Sequence, residues 1–242
     1  LPRNQKKQSI FRFRQFSIDQ QHCAMKVGTD GVLLGAWAGR KAPARILDIG
    51  TGTGLVSCML AQRFPAAEVH AIDIDEHAFE QALINSAASP FGKRVQVFHA
   101  SLQEWAKAGW HRYDLIVCNP PYFKNGWPVE DPLRKKARDA AFLPLEEIFS
   151  RTCDLITPDG KLALILPATH EQEVNLLSTA CGWHAHDQLQ VCTRSGKPVE
   201  RILMEWGRRE ETLVVKSLLM QDESGFTVDY IDLAAAFYLK MH

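Results

Sequence analysis

Arg45-Ile46-Leu47-Asp48-Ile49-Gly50-Thr51-Gly52-Thr53-Gly54-Leu55 reads as a buried strand that turns on glycines into a helix. The strand half is apolar apart from Asp48, and Leu55 to Phe64 keeps helical spacing up to the breaker Pro65. Glycines allow a tight turn and let a ligand approach backbone without meeting a Cβ. The next apolar run, Glu68 to Ile72, ends in Asp73, where an acid can bind both hydroxyls of a ribose. Downstream, Asp75 caps a helix to about Ala88, Arg94 to His99 is a strand, and Leu102 begins a short helix. Tyr113 to Cys118, Lys161 to Leu166, His186 to Cys192, Glu200 to Trp206 and Thr212 to Lys216 read as further strands. Helices are predicted over Glu171 to Ala180, closed by Gly182, and over Asp229 to Lys240. Alternating apolar strands and helices imply a parallel sheet covered on both faces. The last pair of long strands, joined without a helix, places one antiparallel strand at the end. Upstream, Ile10 to Ile18 predicts a short strand or hairpin, and Thr29 or Asp30 caps a helix running to Trp37.

The glycine spacing departs from the dinucleotide fingerprint, its third glycine coming one position early. Asp48, two residues before the loop, would repel a pyrophosphate. A carboxylate there suits a cationic ligand, an ammonium or sulfonium. S-adenosylmethionine carries ribose, adenine, ammonium and sulfonium, and no phosphate, so it is the cofactor these residues imply. Ser101 and Leu102, after the third strand, lie on the same edge of the sheet. They are candidates for the adenine's edge and face, with Ser101 as a plain helix cap the alternative.

Val117-Cys118-Asn119-Pro120-Pro121-Tyr122-Phe123 ends a buried strand in an amide, two prolines and an aromatic ring. Consecutive prolines remove two backbone donors and stiffen the chain. The Asn119 side-chain oxygen and the Pro120 carbonyl are then two acceptors, one for each N–H of an exocyclic amino group. Tyr122 offers a face on which a base can stack, worth about 1–3 kcal/mol. Such a loop beside a methyl donor points to alkylation of an amino nitrogen, with Asn119, Pro120 and Tyr122 as the catalytic set.

The chain has 28 basic and 28 acidic residues, unevenly placed. Arg12 and Arg14 belong to a basic N-terminal segment, and Lys124, Lys135, Lys136 and Arg138 follow the prolines. Local basic clusters on a neutral chain fit phosphate backbone, so these six are the candidate RNA contacts. No apolar run approaches a membrane span, and the basic, polar start is no signal peptide. Six scattered cysteines read as reduced thiols, which makes the chain cytoplasmic. No metal site is expected. His184 and His186, on one strand face, read as surface residues.

With Asp48 to Gly54, Asp73 and Asn119 to Tyr122 in order, the chain resembles class I S-adenosylmethionine-dependent methyltransferases. Lys26-Val27-Gly28-Thr29-Asp30-Gly31-Val32-Leu33-Leu34-Gly35-Ala36-Trp37 is similar to a signature of the bacterial valine-tRNA adenine-N6 methyltransferase group. The resemblance spans nearly the whole chain. It implies a Rossmann-like α/β fold with a seven-stranded sheet, helices on both faces and a small N-terminal hairpin plus helix. It divides the chain into an N-terminal extension and helix, 1–41, and a catalytic domain, 42–242. It assigns cofactor binding to Gly50, Gly52 and Asp73 and the target to Asn119 to Tyr122; the candidate cofactor set adds Asp48, Thr51, Gly54, Ser101, Leu102, Asn119, Lys26 and Thr29. Relatives often carry an acid where this chain has Ser101. The implied substrate is the adenine 3′ of a valine-tRNA anticodon, and a monomer is expected. Open alternatives are the same fold acting on ribosomal guanine N2, protein glutamine or DNA adenine, or a non-catalytic nucleic-acid-binding module.

Overall fold

A computed structural model describes residues 10–21, 27–109, 111–120 and 143–241. The chain alternates strand and helix: β3 (Arg45–Ile49), α2 (Leu55–Arg63), β4 (Glu68–Asp73), α3 (Glu76–Ala88), β5 (Val95–His99), α4 (Leu102–Ala108) and β6 (Tyr113–Cys118). It continues through α5 (Leu145–Thr152), β7 (Ile156–Pro167), α6 (Glu171–Ala180), β8 (His184–Arg194), β9 (Arg201–Gly207), β10 (Val214–Asp222), β11 (Gly225–Phe226) and α7 (Val228–Ala234). Before them come the hairpin β1 (Ile10–Arg12) and β2 (Ser17–Asp19), and helix α1 (Thr29–Trp37). The large sheet has the order β11-β10-β8-β9-β7-β6-β3-β4-β5.

Each strand alternates its side chains between two apolar layers. Ile46, Leu115, Val117, Ala163 and Ile165 face one layer, with α1, α2 and the Phe13–Phe16 hairpin packed over it. Leu47, Ile49, Ile116, Leu162 and Leu164 face the other, under α4, α5 and α6. This period of two is what puts cores on both sides of one sheet. Because Ile49 lies in the second layer, Asp48 points into the first, towards α2.

The seven expected strands form the unit β5-β4-β3-β6-β7-β9-β8, and β10 and β11 extend it by two. The antiparallel strand is β9, and it is inserted between β7 and β8 rather than placed at the end. After α6, β8 is laid down parallel to the core strands one position out, and the 195–200 turn brings β9 back into the gap. Helix α1 is capped by Gly28 with no side-chain bond. Thr29 is its first helical residue, and Asp30 is drawn instead to Arg201 at 2.9 Å. The last helix stops at Ala234, short of Lys240. A bulge after Ala185 separates the two histidines, and His186 is buried beside Lys161 with its Nε2 2.7 Å from the Arg209 carbonyl. The Asp75 cap on Ala78 N–H (2.8 Å) and the left-handed Gly182 after α6 (φ +69°) match expectation.

Helices α1 and α2 touch at a glycine. A Cβ on Gly35 would lie 2.8 Å from Met59 Sδ and 2.9 Å from its Cβ. Gly35→Val is therefore expected to cost about 1–3 kcal/mol by overpacking, read from urea unfolding. A variant as stable as the parent would show that α1 is free to move away.

Candidate active site

Three strand ends lie side by side where the strand order reverses, the usual place for a ligand in an open α/β sheet. Ile49 of β3 is level with Ile72 of β4 on one side and with Cys118 of β6 on the other. Gly50 is thus flanked by Asp73 and Asn119, each about 5 Å away across one strand spacing.

Backbone bonds fix the glycine loop. The N–H groups of Gly50 and Thr51 donate to the Ile72 carbonyl at 2.9 and 3.1 Å, and Gly54 N–H donates to the Thr51 carbonyl at 2.9 Å. Gly50, Gly52 and Gly54 have φ of +68°, +58° and +78°, where L side chains are strained. A Cβ on Gly50 or Gly52 would meet nothing within 4 Å, so open space lies over the loop. On Gly54 it would lie 3.4 Å from Ala82 of α3, an ordinary contact, so the left-handed φ rather than space calls for glycine there.

Asp48 sits beneath this loop, buried, with its Oδ2 accepting from Thr51 Oγ1 at 2.7 Å and Ser57 Oγ at 2.6 Å. Burial is the largest influence and lifts its pKa from 3.8 to about 6, against the two hydroxyl bonds and with a push from Asp73. Asp73 is also raised by burial, partly offset by bonds from the Asp75 and Gly52 N–H groups at 3.0 and 2.8 Å. Each of its oxygens keeps acceptor capacity for a hydroxyl. Next to it stands Ile74, 49% exposed, an apolar surface that could take a flat ring and that sequence reasoning passed over. The signal was available: an apolar residue placed directly after a strand-ending acid.

Ser101 is the N-cap of α4, in a capping box with Glu104. Its Oγ donates to Glu104 Oε2 at 2.7 Å, and the Ser101 N–H donates to the same oxygen at 2.9 Å. Leu102 is buried in the second apolar layer. Thr29 is exposed at the start of α1, which lies over the start of α2, a Cβ on Gly31 falling 3.1 Å from Leu55.

Asn119 is half-buried at the end of β6, and its carboxamide has no hydrogen-bond partner among the described residues. Pro120 follows, buried. Lys26, Tyr122, Lys124, Lys135, Lys136 and Arg138 lie outside the described residues. Arg12 is exposed, whereas Arg14 donates from Nε to the Tyr238 carbonyl at 2.6 Å and ties the hairpin to the C-terminal segment. Among the described residues no cluster of His, Cys, Asp or Glu could hold a metal ion, and no helix is long and apolar enough to cross a membrane. The five described cysteines are free.

The residues present fit S-adenosylmethionine. Open backbone at Gly50 and Gly52 would receive its amino-acid arm, Asp73 its ribose and Ile74 its base, over the buried charge of Asp48. The fold and this crevice define a Rossmann-like methyltransferase architecture. Among solved structures, a predicted O-methyltransferase from Agrobacterium tumefaciens superposes with a TM-score of 0.66 at 22% identity, covering 86% of this chain and 96% of that one. A ribosomal protein L11 methylase from Lactobacillus delbrueckii subsp. bulgaricus gives 0.54 at 15% identity, covering 75% and 78%. Residues 27–182 match the methyltransferase small domain family. The tRNA1(Val) (adenine(37)-N6)-methyltransferase of Porphyromonas gingivalis is 43% identical, over 95% of this chain and 94% of the relative. The enzyme of the same name from Aeromonas hydrophila is 41% identical, over 96% and 98%. The chain belongs to the methyltransferase small-domain family, in the group formed with these relatives.

Asp48 generates a prediction with a definite sign. Its folded pKa is raised, so folding favours the neutral form. The ionised form costs on the order of 3 kcal/mol at neutral pH. Asp48→Asn should stabilise the ligand-free protein at pH 7, with the gain fading as pH falls from about 6 to below 3.8. The same variant should bind S-adenosylmethionine more weakly, while wild-type affinity rises from about pH 5 to 7 as the carboxylate ionises. Unfolding curves and calorimetry across that range check both; a pH-independent difference would contradict the assignment.

Proposed function

We propose that this chain transfers the methyl group of S-adenosylmethionine to the exocyclic N6 of an adenine in tRNA, the adenine 3′ of a valine-tRNA anticodon. The observation that carries the reading is the Asn119 carboxamide, without a partner among the described residues and one strand spacing from the open glycine loop. The names borne by relatives about 40% identical over nearly the whole chain support the substrate. When bound, the cofactor supplies an electrophilic sulfonium methyl. The residues of this chain then act on the acceptor. Asn119 Oδ1 and the Pro120 carbonyl accept one N–H each from the adenine amino group, drawing its lone pair out of the ring and aiming it at the crevice. Tyr122 stacks on the base. No strong general base is needed, because the nitrogen's proton becomes acidic once the new N–C bond forms and leaves to solvent. Rate enhancement comes from positioning and from acceptors fixed on a stiff loop.

Asp48, Gly50, Thr51, Gly52, Gly54 and Asp73 hold the cofactor in this reading, and Lys26 and Thr29 join the cofactor-binding set. Ser101 acts by fixing the start of α4 beside the adenine. Arg12, Lys124, Lys135, Lys136 and Arg138 meet RNA phosphates. Residues 1–41 serve as an extension packed on the catalytic domain of 42–242. The enzyme works as a cytoplasmic monomer.

Asn119→Ala is expected to lower methyl transfer by about 10²-fold or more while leaving cofactor affinity nearly unchanged. Single-turnover assays with labelled cofactor, beside calorimetry, separate the two quantities. Transfer at the parent rate would remove Asn119 from the mechanism.

A further inference from the structure

The turn between β8 and β9 stands on the same edge of the sheet as the glycine loop and Asn119. Its register shows how far it projects. Asn119, one residue beyond the Cys118–Leu164 pair, is level with Ile165; Ile165 is level with Leu203, and Leu203 with Leu189. Arg194 lies five residues beyond Leu189 on β8, so the turn rises about 16 Å above the level of Asn119. Sideways, β8 is three strand spacings from β6, about 14 Å. The β8–β9 hairpin is therefore a wall on one side of the crevice.

The tip of this wall is basic and rigid. Arg194 and Lys197 are both exposed, and neither side chain has a partner among the described residues. The turn itself is closed by Lys197 N–H donating to the Arg194 carbonyl at 3.1 Å, with Gly196 left-handed at φ +75°. It is tied down on both flanks: Ser195 N–H donates to the Gln221 carbonyl at 3.1 Å, and Thr193 Oγ1 donates to Glu200 Oε2 at 3.2 Å. Glu200, the nearest acid in sequence, is thus engaged with Thr193. Asp222, at the end of β10, is taken by the Ser224 N–H and hydroxyl at 2.8 and 2.6 Å. Asp30, at the start of α1, is neutralised by Arg201. Because the turn is already closed, the backbone adds little to the ordering cost of meeting an anion, which falls on the two side chains. On the outer side, at the end of β10, the Asp222-Glu223 turn is acidic, so the side of the hairpin turned towards β7 is the one that favours an anionic chain.

We propose that the β8–β9 hairpin is a second RNA contact, in which Arg194 and Lys197 bind backbone phosphates of nucleotides away from the methylated base. The proposal rests on the tRNA reading above and adds where the substrate's body lies. At roughly 20 Å from Asn119, by the two displacements combined, the hairpin is out of reach of the target nucleotide itself. It recognises a structured RNA, sequence-independently, through charge.

The test uses the full chain, a fluorescein-labelled valine-tRNA transcript as probe, and the R194Q/K197Q double variant. Both substitutions keep the backbone turn and remove only charge. Expected are about tenfold weaker RNA binding near 100 mM salt and a slope of log K against log salt smaller by about 2. S-adenosylmethionine affinity and kcat at saturating RNA should stay at parent values, and R194K/K197R should restore binding. Unchanged affinity and salt slope would overturn the hairpin contact. Methylation of the same transcript by the parent separates the two claims. If the parent methylates it while the double variant binds normally, the hairpin alone is wrong. If the parent neither binds nor methylates it, the tRNA reading fails and takes the hairpin with it.

Discussion

The Ile72 carbonyl oxygen accepts two hydrogen bonds, from the N–H groups of Gly50 and Thr51. That one acceptor, at the end of β4, fixes how the chain leaves β3. With the parallel registers of β4, β3 and β6 it sets Asp73, Gly50 and Asn119 abreast. A slip of one residue in either pairing would turn Asp73 or Asn119 to the opposite face of its strand, since side chains alternate with period two. The registers are held by near-complete burial of Ile46, Leu47, Ile49, Ile72, Leu115, Ile116 and Val117, so the apolar layers above and below the sheet position the chemistry at its edge. Donor crevice and acceptor loop are two exits from one rigid ladder.

A second constraint follows from burying a carboxylate under the loop. Asp48 has its hydroxyl partners but no cation beside it among the described residues, and burial resists its ionisation. An apolar residue at that point in β3 would serve the fold better. A cationic ligand above the loop reverses the balance, because its charge is compensated by an acceptor held in place beforehand. The same logic applies to Asn119. A half-buried carboxamide with no partner among the described residues is unfavourable for folding alone and suits a polar group that arrives from outside. Both residues therefore sit where the demands of folding and of binding differ.

Features set by short-range signals were legible in the sequence. Strand, glycine turn and helix over Arg45 to Arg63, the acid ending β4, the Asp75 cap and the Gly182 stop all depend on residues a few positions apart. Features set by distant partners were not. The cap expected from Thr29 or Asp30 fell to Gly28, while Asp30 reaches Arg201, 171 positions along the chain. Two hydroxyl or acid groups near a helix start look alike in sequence, and tertiary charge pairing decides between them. The insertion of β9 between β7 and β8 depends on which sheet edge is open when the chain returns. Ser101 was ambiguous for a local reason: the same serine can cap a helix or meet a ligand, and Glu104 three residues later carried the cap signal. Arg194 and Lys197 carry no signal in the sequence, because their standing together on one closed turn depends on backbone bonds to Gln221 and across the turn itself.

The central claim is that the crevice brings a sulfonium methyl to an amino group held by Asn119 and Pro120. The most direct test is to incubate the chain with methyl-labelled S-adenosylmethionine and total tRNA from a strain lacking this protein, then digest and locate the label by mass spectrometry. The account predicts a single product, N6-methyladenosine, at the adenine 3′ of the anticodon of a valine tRNA. Label on a ring nitrogen, on guanine, or in protein instead of RNA would contradict it.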